Sequence, residues 1–148
     1  MKVIYSALRI PYIFLKRFTR NINYLINKFF FALAQKEIRT GLEKIGLKKD
    51  MVVYVHSSMS SLGYVNGGPG SVINSILNVI GNKGTIVMPT FTHKTDIFDP
   101  ETTKSWTGAI SECLRARKGS FRSVHPTHSV AAFGMLSKEI IKGHEKSK

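Results

Sequence analysis

Acidic residues are scarce: 148 residues carry nine Asp or Glu against 22 Lys or Arg, a formal charge of +13 at pH 7. No acid precedes Glu37. This balance favours an acidic partner, and phosphates, nucleic acid and anionic lipid all qualify. Cysteine is limited to Cys113. One cysteine excludes an internal disulfide framework and fits a reducing, cytoplasmic compartment. Long apolar runs are also missing. No uncharged stretch approaches the roughly 20 residues of a membrane span, and no apolar run ends at a small-residue cleavage site. The P-loop, the dinucleotide fingerprint and the G-x-S-x-G elbow are all absent.

The hydrophobic content, 43%, is enough for a core. Residues 1–35 hold Lys2, Arg9, Lys16, Arg17, Arg20 and Lys28 among many aromatic and branched residues. They read as two amphipathic helices broken near Pro11. Such helices either adhere to an anionic membrane surface or pack on the domain or a partner subunit, as in a homodimer. Nucleic acid is disfavoured as a partner because the aromatics do not alternate with the basic residues.

From residue 36 the pattern changes. KEIRTGLEKIG places Ile38, Leu42 and Ile45 on one helical face, with Gly46 as its stop. MVVYVH, 51–56, is β-branched, apolar and short, as expected of a buried parallel strand. SSMSSLGYVNGGPG then reads as a loop, and Pro69 opens a helix that buries Val72, Ile73, Ile76, Leu77 and Ile80. GTIVMPTF, 84–91, is a second strand. Strand, loop, helix, strand is the order of a crossover between parallel strands. THKTDIFDPETTKSW, 92–106, is a substrate loop or a plain excursion, in which His93 and Asp96 face substrate or solvent. TGAISECLRARKG is a helix with Thr107 as N-cap and Cys113 as a core thiol. SVAAF, 129–133, is a third strand, and MLSKEIIKGH begins another helix.

Two stretches are candidates for chemistry. His56 and Ser57, Ser58, Ser60 and Ser61 stand where a strand hands over to a helix, a place suited to phosphate. The alternative is an ordinary strand-to-helix loop. RSVHPTHSVAAFG brings His125, His128, Thr127 and Ser129 to a strand entrance. One imidazole there serves as a general base, or both hydrogen-bond backbone around Pro126. No cysteine or carboxylate joins them at ligand spacing, so no metal is expected. Arg122 meets a phosphate or lies exposed.

VHSSMSSLGYVNGG, GTIVMPTFTH, FDPETTKSWTGAISECLRARKGSFRSVHPTHSVAAFG and the closing KGH occur in that order. Together they resemble the aminoglycoside 3-N-acetyltransferase family over residues 36–148, with 1–35 outside the match. The resemblance implies a three-layer α/β/α sandwich, with the sheet expected to be largely parallel. It implies transfer of an acetyl group from acetyl-CoA to the 3-amine of an aminoglycoside, a resistance reaction. It assigns Ser57, Ser58, Ser60, Ser61, Leu62 and Gly63 to the coenzyme loop. Thr127, His128 and Ser129 fall at the same pocket's wall, with His128 nearest the transfer centre. Family members are nearly twice as long, and their second half carries a further histidine motif, G-H-x-x-N-T, absent here. The chain is therefore expected to be the N-terminal portion of such an enzyme, missing much of the acceptor site. Alternatives are N-acetylation of an envelope amino sugar, or a non-catalytic fragment held at a membrane.

Overall fold

The computed structural model describes residues 19, 22, 32–92, 97–125 and 127–146. The chain divides into two units, Met1–Ala32 and Leu33–Lys148. Most of the basic N-terminal segment lies outside the described residues, so its membrane and subunit readings do too; His93, Asp96 and Pro126 are likewise outside. Among the described residues no helix is long and apolar enough to cross a membrane.

The second unit is built on four strands, β1 (Val52–Tyr54), β2 (Thr85–Pro89), β3 (Phe121–Arg122) and β4 (Val130–Gly134). Their order in the sheet is β1-β2-β4-β3. The helices are α1 (Gln35–Lys44), α2 (Met59–Leu62), α3 (Gly68–Ile80), α4 (Ala109–Arg115) and α5 (Ser137–Ile141), followed by a 3₁₀ turn at His144–Lys146.

β1 and β2 are parallel, with Val52 opposite Thr85 and Tyr54 opposite Val87. The crossover expected from the sequence is present. The expectation of a largely parallel sheet is not met: β4 runs antiparallel to both β2 and β3. For the β3–β4 pair the reason is local. Residues 123–129 reverse the chain in a hairpin, and two adjacent strands joined by so short a connection can only be antiparallel.

Alternation along the strands sorts the side chains into two layers. Ile86, Met88 and Ala131 face Ile73, Ile76 and Ile80 of α3 and Ile110 and Leu114 of α4. Full burial of each such side chain stabilises by about 2 kcal/mol. Val87, Val130 and Ala132 face the other way, against Ile140 and Ile141. Among the described residues of this unit three layers result, with the short α5 as the second helical layer. That layer leaves β1 open, so β1 is a half-exposed edge strand rather than a buried one. Val52 is 49% exposed and Tyr54 52%, while Val53 packs inward.

Three local readings also change. Met59–Leu62 is a helical turn rather than loop, closed by the Ser61 and Leu62 N–H groups donating to Ser58 O. Ile45 lies beyond the end of α1 and is 81% exposed. Thr107 does not cap α4; Gly108 holds that position, and Thr107 Oγ1 donates to Pro89 O at 2.7 Å. At the far end of the sheet Gly134 has φ +129°, and a Cβ there would stand 2.2 Å from Gly84 O. Only glycine lets β4 lie this close to the entry of β2.

Candidate functional site at the carboxyl rim of the sheet

The strand directions collect several segments at one rim. β1 and β2 both end there, and β4 starts there, with Val130 opposite Pro89. Residues 55–57, residues 90–92 and the hairpin loop 123–129 therefore leave the sheet together. The segment before α4 joins them, since Trp106 N–H donates to Phe91 O at 3.0 Å.

Ser57 follows β1. Its Oγ is buried and has no hydrogen-bond partner among the described residues. Gly108 runs beside it: a Cβ on that glycine would be 4.0 Å from Ser57 O. Ser58 and Ser60 are exposed and share a hydrogen bond of 2.8 Å between their hydroxyls. Ser61, Leu62 and Gly63 are exposed on the same turn.

In the hairpin loop Thr127 and His128 are exposed. Thr127 Oγ1 lies 2.9 Å from His128 Nδ1. The His128 ring meets Phe91 edge-on, with centroids 5.2 Å apart. Ser129 departs from the expected ligand role. It is fully buried; its hydroxyl donates to Thr90 O at 2.8 Å and accepts from Arg122 Nε at 3.0 Å. It supports the wall from behind.

Arg122 departs from expectation as well. It is buried, and its guanidinium donates to backbone carbonyls of Thr90 (2.5 Å), Pro100 (3.4 Å) and Thr103. Burial, with Arg115 adding repulsion, pulls its pKa down to about 10. The excursion at 99–107 is thereby pinned to the rim. Asp99 accepts from Glu101 N–H (2.9 Å) and Thr102 Oγ1 (2.6 Å), and Ser105 N–H donates to Glu112 Oε2 at 2.9 Å. Arg115 closes a forked pair on Glu112 (2.8 and 2.7 Å), which holds that carboxyl below its ordinary range.

Sequence reasoning missed the contribution of Ser123, His144 and Phe91. His144 Nδ1 lies 2.8 Å from Ser123 Oγ, and its ring is 5.5 Å from that of His125. Burial lowers the pKa of His144, and His125 adds to the effect. Each of the three stood inside a quoted motif, Phe91 in GTIVMPTFTH, Ser123 in RSVHPTHSVAAFG and His144 in KGH, but none of these motifs says which side chains meet. Among the described residues no three His, Cys, Asp or Glu are disposed to hold a metal ion. An apolar groove of about 450 Å³ beside β1, lined by Leu42, Leu47, Met51 and Tyr54, contains none of the residues 57–63 or 127–129.

Residues 54–148 match the family model described as aminoglycoside 3-N-acetyltransferase. The chain is 30% identical over 147 residues to the prophage-derived aminoglycoside N(3')-acetyltransferase-like protein YokD of Bacillus subtilis (strain 168), covering 81% of this chain and 53% of that protein. The crystal structure of the aminoglycoside acetyltransferase AAC(3)-Xa superposes with a TM-score of 0.73 at 30% identity, over 76% of this chain and 47% of its own. A variant of AAC(3)-IVa crystallised in complex with apramycin gives 0.72 at 30% identity, over 76% and 47%. The chain spans about half the length of the curated relatives it matches.

Proposed function

The chain belongs to the aminoglycoside 3-N-acetyltransferase family, and from that membership we propose that its rim holds the acetyl donor of an N3-acetylation, acetyl-CoA. The reaction joins an amine nitrogen to the thioester carbonyl carbon. The carbon–sulfur bond breaks, the amine's proton departs to a base, and the coenzyme leaves as a thiolate that is then protonated. The carbonyl oxygen carries negative charge in between and needs aligned donors.

The observation that carries the reading is the buried Ser57 hydroxyl, which has no hydrogen-bond partner among the described residues. A buried polar group without a partner is rare and calls for a ligand or water. Ser57 lies at the mouth of a parallel pair, where α/β sheets bind their ligands. The exposed Ser58, Ser60 and Ser61 hydroxyls extend the donor surface along α2, and Leu62 and Gly63 complete the coenzyme loop. Thr127 and His128 form the facing wall, with His128 nearest the acetyl group. His128 offers Nε2, since its Nδ1 is taken up by Thr127. The acceptor is an aminoglycoside amine, in keeping with the family.

Calorimetric titration of the 148-residue chain with CoA and acetyl-CoA tests this. Binding is expected, weakened about tenfold by Ser57→Ala, the loss of roughly one hydrogen bond to a charged or strongly polar group. A folded chain that binds neither ligand at millimolar concentration, or a Ser57→Ala chain that binds as well as the parent, refutes the assignment. Thiol release with kanamycin, gentamicin and amino-sugar nucleotides then identifies the acceptor.

A further inference from the structure

We propose that His144 and His125 are positioning residues: their neutral rings, docked on Ser123, hold the β3–β4 hairpin loop in the shape that presents Thr127 and His128. The interest of this latch rests on the reading of Thr127 and His128 as a wall of the donor site, but its geometry stands without that reading.

The chain of contacts starts in the core. Ser123 is fully buried, and its Oγ accepts the Val130 N–H at 3.0 Å. The same oxygen lies 2.8 Å from His144 Nδ1. In the proposed latch the hydroxyl's one proton goes to that nitrogen, and the His144 proton then sits on Nε2. The His144 ring lies against that of His125, which in turn meets His128 at 5.4 Å between centroids. His125 Nδ1 accepts the His128 backbone N–H at 3.0 Å and the Thr127 N–H at 3.4 Å. An accepting nitrogen carries no proton, so His125 is also the Nε2–H form. Ser123, His144 and His125 thus lead step by step from the sheet to the backbone of His128.

Each link needs a neutral ring. An imidazolium at His125 would set an N–H against the His128 N–H. At His144 it would leave the buried Ser123 proton without an acceptor. The groups facing His144 are His125 and His128 of the hairpin, which disfavour its charge, and Glu145 on its own turn, which favours it; burial is the largest influence, and its pKa falls below 6.5. Arg122, on β3, is committed to carbonyls of residues 90, 100 and 103, and Lys138 of α5 lies over the Phe121 ring. Because the folded pKa is depressed, the unfolded chain takes the proton first. The latch is at full strength above pH about 6.5 and is lost as pH falls through the lower folded value.

Long-range ¹H–¹⁵N spectra of the labelled 148-residue chain read the tautomers directly. Nε2–H forms are expected for His125 and His144 at neutral pH. His144→Ala is expected to shift the His128 amide and speed its hydrogen exchange about tenfold or more. His144→Asn, whose Oδ1 replaces Nδ1 as acceptor of the Ser123 proton, should restore that amide's shift and protection at neutral pH. An Nδ1–H form at either ring, or a His128 amide indifferent to His144→Ala, overturns the proposal. Should the Ala variant not fold, the parent tautomers and the Asn variant decide. Expected tautomers without CoA binding would refute the donor site and leave the latch standing; binding with the wrong tautomers would do the reverse.

Discussion

Arg122 shows how one side chain can organise a site without touching a ligand. Its guanidinium reaches Thr90 at the end of β2, Pro100 and Thr103 in the excursion, and Ser129 at the hairpin's return. A lysine has the charge but not the planar fork, and one ammonium cannot serve three segments. Arg122→Lys is therefore expected to destabilise the fold by about 2–4 kcal/mol, since buried carbonyls lose their donors. Urea unfolding followed by circular dichroism measures it; a midpoint unchanged from the parent would contradict this account. Nothing in the sequence near residue 122 announces the role. The arginine's carbonyl partners lie at positions 90, 100 and 103, and such long-range meetings leave no local pattern. Ser129 was hidden for the same reason: a serine beside two histidines looks like a ligand until burial shows its hydroxyl spent on Thr90. The places of Ser57 past a strand and of Thr127 in a turn were legible because strand ends and turns carry their own marks.

Among the elements, β1, α3 and β2 were readable because hydrophobic periodicity and glycine stops are local signals. The sheet's direction changes were not. β3 has only two residues, too few for any period, and its pairing depends on a hairpin whose proline and histidines look equally like a strand entrance. Burial of β1 was overstated because an apolar run does not say whether both faces are covered. The structure shows one covered face, and this can be tested. Val53 packs against the α3 side, whereas Val52 is half exposed on the other. Val53→Ala should cost about 1–2 kcal/mol, and Val52→Ala less than about 0.5 kcal/mol. Equal losses in chemical unfolding would mean that the outer face of β1 is covered in solution.

Across the whole molecule the +13 charge acts on the two proposed substrates with opposite sign. Residues 36–148 alone hold sixteen Lys or Arg against nine acids. Coenzyme A brings phosphates, so its association is assisted by the protein's field, and added salt screens that assistance. An aminoglycoside is a polycation and meets the same field as repulsion, which salt relieves. Raising ionic strength from about 50 to about 500 mM should thus weaken CoA binding several-fold, while any aminoglycoside affinity of this chain rises or stays undetectable. Parallel titrations of CoA and kanamycin at both salt levels measure the two slopes. Kanamycin binding that tightens as salt is removed would show that acidic groups within these 148 residues already form an acceptor site, against the charge distribution described above.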